Sequence, residues 1–461
     1  MNIRVYYKFI ILIMIVIGMM SFQNVESSEE GHKTAQVISL QKYENVAIET
    51  DLEPDDVLAL RIIFSEANLI YQQQTEKKYP IKLIIVGEGC SLIKRLRMEK
   101  MLTNFFDIPP GVQIKVVEGK STSDNIFPFD GEEFFNREFL SIHTEMSDGS
   151  QGIQALEKFI NQSENPLVIQ LKPAQELFEI SFQSDLSQKT TVFLYGGFNL
   201  RRTIQDETVL VNKLFDSVRN EPFVKQYQLL IDHFSTSFKK LGILETFGLL
   251  GNQSAVFHKH LWTNGIADII ENSNDDFFQM FHMLSSNWNA YLCKKEVYEV
   301  QHQLESLLTT FLPTSNPNLI CGLNASIKNL DSLTKDFRDD VFQSTYTTVM
   351  DLIKEIQTIY PKMKSQLGKI EDGLNFIDKV KPSSGLQFTL ADVGVALAIC
   401  DHTGFFTASP VQVLVNQQGH LETLKDPKSN VIYYDRVNRE DFATILEVCL
   451  QSFASYAVVE K

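Results

Sequence analysis

The sequence has little of what zinc-binding and nucleic-acid-binding proteins need. Only five cysteines occur among 461 residues, and they are scattered without the paired spacing of a zinc site. Acidic residues outnumber basic ones by 58 to 42, for a formal net charge of -16. A partner with a phosphate backbone requires a basic face, which this balance does not favour. We therefore expect neither a zinc site nor a nucleic-acid partner.

Long hydrophobic runs are also scarce. One apolar run, from Phe9 to Met20, follows Arg4 and Lys8 and gives way to polar residues. It is shorter than the about 20 residues that a membrane helix needs, and the basic residues before it are typical of a signal peptide. We expect residues 1–27 to be a signal peptide and the protein to be secreted or exported. The alternative is a membrane anchor formed by an uncleaved leader.

Short β-branched runs alternate with amphipathic stretches in the first half of the chain. Five runs predict strands: Asn45–Thr50, Ile81–Val86, Val112–Val117, Pro166–Leu171 and Thr190–Tyr195. Apolar residues at helical spacing follow the first two strands, over residues 56–67 and 92–102. This alternation predicts an α/β fold with a mainly parallel, twisted sheet and helices on both faces.

The rest of the chain divides into two parts. Over residues 229–384, apolar residues recur at helical spacing, as at Phe277, Phe281 and Leu284, and predict a helical insertion that forms a subdomain or lid. Residues 385–461 contain further predicted strands and helices. We expect this last segment to complete the α/β core that residues 36–228 begin.

An acidic stretch from Glu49 to Asp56, with the sequence ETDLEPDD, stands at the end of the first predicted strand and opens the first helix. Ligands of parallel sheets bind beyond the carboxyl ends of the strands. Helix capping explains one or two acids in a first turn, but not all of these. Glu49, Asp51, Asp55 and Asp56 would repel one another unless a cation neutralised them, and oxygen ligands suit Ca²⁺ or Mg²⁺.

The segment from Val46 to Leu60 resembles the D-x-D-x-x-x-D-D signature of the inosine/uridine-preferring nucleoside hydrolases, with Glu49 in place of the first aspartate. By this resemblance Asp51 and Asp56 hold Ca²⁺. Asp51 also acts as the catalytic residue that takes a proton from the attacking water, and Asp55 contacts the sugar hydroxyls. The implied fold is that of the nucleoside hydrolases.

Three later segments resemble segments of the same family, and they follow one another along the chain in the same order as in the family. Gly87 and Glu88 resemble a strand end beside the ribose, where the family usually has Gly-Asn. Residues 166–177 resemble the segment that gives a main-chain carbonyl to the metal, which implies Gln175 as a ligand. Asn199 follows Tyr-Gly-Gly-Phe and resembles a sugar-binding asparagine of the family.

Residues 388–398 resemble the family's helix whose aspartate completes the calcium shell, a role that the resemblance assigns to Asp392. Purine-active members have a histidine just before that aspartate, which protonates the leaving base, but this chain has Ala391. The loss of a general acid costs about 10² to 10⁴ in rate. His402 is a remote substitute, and a loop or surface position explains it better.

The implied function is calcium-dependent hydrolysis of N-glycosidic bonds in nucleosides or related ribosides, with metal-held water attacking the sugar carbon. Glu49, Glu88 and Ala391 leave open a pseudoenzyme that binds its ligand without catalysis. A third alternative is a different metal-dependent hydrolase, such as a phosphatase with an aspartate nucleophile. The implied partner is a small molecule, and family members often form homo-oligomers.

Overall fold

The computed structural model describes residues 37–122, 146–196, 223–244, 264–311, 317–381, 391–400, 406–417, 421–434 and 444–451. The expected signal peptide at 1–27, Asn199 and His402 lie outside these residues. Within the described ranges, no helix is both long enough and apolar enough to cross a membrane.

The strands of the described residues form one mostly parallel sheet. In chain order they are β1 (Asn45–Thr50), β2 (Ile81–Val86), β3 (Lys115–Glu118), β4 (Pro166–Gln170), β5 (Thr191–Tyr195), β6 (Lys240–Leu244), β7 (Ala408–Val415), β8 (Leu421–Lys425) and β9 (Val431–Tyr434). Their order in the sheet is β3-β2-β1-β4-β5-β6-β9-β7-β8. β7 runs antiparallel to both of its neighbours, β8 and β9, and every other neighbouring pair of these described strands is parallel. The predicted α/β class with a mainly parallel sheet is confirmed.

Helices cover both faces of this sheet. In chain order they are α1 (Pro54–Gln73), α2 (Ser91–Asn104), α3 (Ser150–Gln162), α4 (Gln175–Ser181), α5 (Ser184–Ser187), α6 (Phe223–Ser237), α7 (Asn264–Asn272), α8 (Asp276–Phe311), α9 (Pro317–Leu333), α10 (Asp339–Ile359), α11 (Lys364–Val380) and α12 (Ala391–Ile399). Because strand side chains alternate between faces, Val46 and Ile48 join the core under α1, whereas Ala47 joins the core under α3, α4 and α6. Burial on both faces explains the uninterrupted apolar run of β1 from Val46 to Ile48.

The long helix α8 connects the sheet to a separate helical bundle. Its first turns, with Phe277 and Phe281, pack in the sheet core, whereas Cys293 and the residues after it pack with α9, α10 and α11 in a core of their own. One strand, β6, lies where the sequence predicts only helices. Its apolar sequence KLGIL is too short for periodicity to identify, and Gly242 leaves room for the Phe193 ring, 2.6 Å from where a Cβ would lie.

The sheet order reverses between β1 and β4. From β1 the chain moves outward to β2 and β3, and it then returns to β4 on the other side of β1 before it continues to β5 and β6. In doubly wound sheets the loops that follow the two strands at such a switch point separate and leave a crevice for a ligand. The acidic stretch follows β1, and Lys172 to Gln175 follow β4, so both border this crevice.

Candidate metal centre

The loop between β1 and α1 is organised around the carboxylate of Asp56. Its Oδ2 accepts hydrogen bonds from Thr50 Oγ1 at 2.5 Å, from the Asp51 amide at 2.8 Å and from the Leu52 amide at 2.9 Å. Leu52 has a φ of 55°, which residues with a side chain rarely adopt, and these bonds stabilise that conformation. Pro54 begins α1 with a φ suited to the helix and places Asp56 in its first turn.

Two buried cations of α2 hold the same loop through its main-chain carbonyls. Lys94 Nζ donates a hydrogen bond to the Asp51 carbonyl, and an Arg97 Nη donates to the Leu52 carbonyl at 2.9 Å. The charge of Lys94 also acts on the carboxyl of Glu53, the residue before α1. These contacts fix the backbone from which the acidic side chains project.

The side chain of Asp392, in the first turn of α12, completes an acidic triad. One carboxylate oxygen from each of Asp55, Asp56 and Asp392 lies within 4.8 Å of the other two, and the carboxyl of Asp51 adjoins that of Asp56. The Oδ1 atoms of Asp56 and Asp392 are buried and have no hydrogen-bond partner among the described residues. Buried oxygens with unused lone pairs fit a hard divalent cation, so this triad could hold a metal ion.

Burial and mutual repulsion change the acidity of the triad. Burial, followed by the negative charge of Asp51, raises the pKa of Asp55 to about 7. Burial followed by the charges of Asp51 and Asp392 raises the pKa of Asp56 well above its ordinary value, and burial followed by the charge of Asp55 does the same for Asp392. A bound cation would reverse these shifts, because it stabilises the ionised carboxylates.

Glu49, which the sequence groups with the other acids, instead pairs with Lys172. Alternation along β1 directs Glu49 to the face of Ala47, away from Thr50 and its bond to Asp56. On that face Lys172 Nζ lies 3.7 Å from Glu49 Oε2 and 2.5 Å from Glu176 Oε2, and all three side chains are buried. An ammonium of the chain itself therefore lies between the two carboxyls of this second group, although burial outweighs its effect on Glu49 and raises the pKa of Glu49 to about 8.

Two glycines make room for the second group. A Cβ at Gly87 would lie 3.0 Å from Lys172 Cε, and a Cβ at Gly119 would lie 2.5 Å from Glu176 Oε1. Burial alone would lower the pKa of Lys172, but the carboxylates of Glu176 and Glu49 outweigh burial and hold that pKa above its ordinary value. Lys172 is therefore charged at neutral pH.

The structure places the remaining predicted residues around the same sheet edge. Gln175 is the first residue of α4, and neither polar atom of its buried side chain has a hydrogen-bond partner among the described residues. Glu88 follows β2 in a left-handed conformation with a φ of 58°. Ala391 begins α12, directly before Asp392. The roles assigned to Asp51, Gln175 and Glu88 stay predictions.

The sequence alone does not predict the three buried basic residues of this region, Lys172, Lys94 and Arg97. Lys172 directly follows the apolar run of β4, so the rule that selects strand ends would have identified it. Lys94 and Arg97 are single charges in a helix with mixed composition, and nothing local distinguishes them from solvated residues.

No protein-family model matches this chain, and no curated protein matches it. The chemistry and the position of the acidic triad therefore provide the basis for a functional proposal.

Proposed function

We propose that this chain is a calcium-dependent hydrolase of N-glycosidic bonds in nucleosides or related ribosides. The observation that carries the proposal is the convergence of Asp55, Asp56 and Asp392 at the switch point of a parallel sheet. The resemblance of residues 46–60 to the nucleoside hydrolase signature supports the substrate class.

The triad would hold the cation together with two further oxygen donors, the carboxylate of Asp51 and the main-chain carbonyl of Gln175. Ca²⁺ accepts six to eight oxygen ligands in flexible geometry, whereas Mg²⁺ requires a near-ideal octahedron and retains several waters. A set of several carboxylates therefore favours Ca²⁺. When bound, such a cation lowers the pKa of a water molecule and stabilises developing negative charge.

Residues of the chain would provide proton transfer and sugar binding. Asp51 Oδ1 accepts a hydrogen bond from the Glu53 amide at 3.3 Å, which orients the carboxylate and leaves Oδ2 to take a proton from the attacking water. Besides facing the cation, Asp55 would bind sugar hydroxyls through its second carboxylate oxygen, and Glu88 would border the sugar from the end of β2. Because Ala391 has no ionisable group, protonation of the leaving group has to come from another residue or from solvent.

A ligand-binding protein without catalysis is the second candidate, and one observation favours it. Glu49 stands where the resemblance has its first aspartate, but its carboxylate accepts a hydrogen bond from Gln170 at 3.0 Å and pairs with Lys172. A carboxylate engaged in this way is not available to a substrate. Binding of Ca²⁺ and of a nucleoside without any bond cleavage would support this candidate.

Release of free ribose tests the proposal directly. The purified chain is incubated with a panel of nucleosides in the presence of Ca²⁺ or of a calcium chelator, with Asp51→Asn as the active-site variant. Asp351→Asn, at an exposed position of α10, is the matched control. We expect chelator-sensitive release that Asp51→Asn abolishes and the control retains. Cleavage of phosphate esters in place of nucleosides would contradict the proposal and indicate a phosphatase.

A further inference from the structure

Two basic side chains of α2 are buried against the loop that joins β1 to α1. Lys94 and Arg97 are three residues apart, so they share one face of the helix. A buried charge is unfavourable unless polar groups compensate for the water that it has lost. Lys94 Nζ donates a hydrogen bond to the Asp51 carbonyl, and Arg97 Nη2 donates to the Leu52 carbonyl at 2.9 Å. The two cations therefore bind consecutive carbonyls of the loop.

The amides of the same two loop residues bind a carboxylate. Those of Asp51 and Leu52 both donate to Oδ2 of Asp56, at 2.8 and 2.9 Å. Two successive amides can converge on one oxygen where the backbone leaves the extended conformation, as it does at Leu52 with a φ of 55°. A residue with a side chain rarely adopts this conformation, which persists only where surrounding contacts impose it. The cations on the carbonyls and the carboxylate on the amides are such contacts.

The conformation of this loop determines which carboxylate oxygens face the metal centre. The loop amides occupy Oδ2 of Asp56, so Oδ1, which has no hydrogen-bond partner among the described residues, remains for a cation. The carboxylate of Asp51 depends on the same loop, because its Oδ1 accepts a hydrogen bond from the Glu53 amide at 3.3 Å. Without donors to its carbonyls the loop would relax into commoner conformations, and both carboxylates would shift.

We propose that Lys94 and Arg97 are positioning residues of the metal centre, which strengthen calcium binding although both are themselves cations. The assignment rests on the calcium site of the proposed function and extends it to residues that act through the main chain of Asp51 and Leu52. Their removal has two effects of opposite sign. Coulomb repulsion alone predicts that loss of a nearby positive charge strengthens Ca²⁺ binding. Loss of positioning predicts the reverse, because the loop no longer presents its carboxylates together.

Titration calorimetry of the purified chain with Ca²⁺ alone, without a nucleoside, measures this sign. Lys94→Met and Arg97→Met should each weaken Ca²⁺ binding by roughly 10-fold, which corresponds to one hydrogen bond to a charged group. Lys94→Arg and Arg97→Lys keep the charge and a donor, so they should retain most of the affinity. Arg61→Met is the matched control, because Arg61 is also buried and donates to a main-chain carbonyl, that of Phe105, outside this loop. The control should lose stability but not calcium affinity.

Glutamine variants keep the assignment testable where a methionine variant does not fold. Lys94→Gln and Arg97→Gln place a neutral amide on a shorter arm, so repulsion and positioning again predict opposite changes in Ca²⁺ affinity. Unchanged or tighter Ca²⁺ binding in the neutral variants would overturn the assignment and leave the proposed function intact. An equal loss of affinity in Arg61→Met would also overturn it, because reduced stability would then explain the effect.

The parent chain separates this assignment from the proposed function. A parent chain that binds Ca²⁺ but releases no ribose from nucleosides would contradict the hydrolase, whereas the calorimetric comparison would still decide the role of Lys94 and Arg97. A parent chain that does not bind Ca²⁺ would overturn both.

Discussion

Two groups of buried carboxylates lie at the same edge of the sheet, and the protein stabilises them in different ways. Glu49 and Glu176 share the ammonium of Lys172. In the triad, by contrast, no lysine or arginine among the described residues pairs with Asp55, Asp56 or Asp392, although Glu49 Oε1 lacks a hydrogen-bond partner there just as Asp56 Oδ1 and Asp392 Oδ1 do. The comparison shows that buried acidity by itself does not identify a metal centre. The distinguishing feature is a set of buried carboxyls with no basic side chain paired to them among the described residues.

Removal of the internal cation should have the largest effect. Lys172→Met leaves Glu49 and Glu176 buried without their counter-charge, and loss of one partner of a buried ion pair costs about 3–5 kcal/mol. We expect this decrease in the free energy of unfolding, measured with urea. Lys78→Met is the control, because Lys78 pairs with Glu44 and Glu76 at the exposed surface, where a pair contributes about 0–1 kcal/mol. Equal effects of the two variants would show that the second group does not depend on its cation.

Calcium should stabilise the folded protein by binding at the triad and not at the Glu49 group. At a concentration about 100 times its dissociation constant, a ligand that binds only the folded state stabilises it by about 2.7 kcal/mol. Asp392→Asn should abolish this calcium-dependent rise in Tm, and it should raise the Tm of the calcium-free protein because it relieves repulsion within the triad. Asp351→Asn should retain the full calcium effect. A calcium response that survives in Asp392→Asn would exclude the triad as the binding site.

The pH dependence of stability should also differ between the calcium-free and the calcium-bound protein. The pKa of Asp55 is about 7 in the folded protein and about 4 in an unfolded chain, so between these values the folded state holds the extra proton. Stability from this group is therefore complete below about pH 4 and is lost progressively as the pH rises to about 7, a loss of about 4 kcal/mol. Calorimetry across this range should show the loss without calcium and little loss with it. A calcium-free protein whose stability rises from pH 4 to pH 7 would contradict the raised pKa values.

Removal of the hydroxyl that supports Asp56 should have the smallest effect. Thr50→Val deletes the bond from Thr50 Oγ1 to Asp56, which should cost about 1–2 kcal/mol of stability and weaken Ca²⁺ binding as well. Thr190→Val removes a buried threonine hydroxyl that donates to the Leu186 carbonyl, outside the metal centre. The control should lose stability but not calcium affinity. Titration calorimetry compares the two, and identical calcium affinities would show that Thr50 has only a structural role.

Much of the sheet and part of the site are determined by local sequence. The bounds of β1 and β2 coincide with the predicted strands, because short β-branched runs are a local signal. Asp55 and Asp56 are recognisable because they follow a strand and begin a helix. Local patterns did not show β6, whose short apolar run is compatible with either a strand or a buried helix.

Only the tertiary structure decided which charges neutralise one another. Asp392 meets Asp55 and Asp56 through the docking of α12 beside α1, and Lys172 meets Glu49 because β4 is the neighbour of β1 in the sheet. The sequence by itself determined that acids would gather at the carboxyl end of β1, since strand order along the chain and helix capping are local. It could not determine that Lys172 would pair with Glu49 while no described basic residue pairs with the triad, because the pairing of buried charges depends on contacts between segments far apart in the chain.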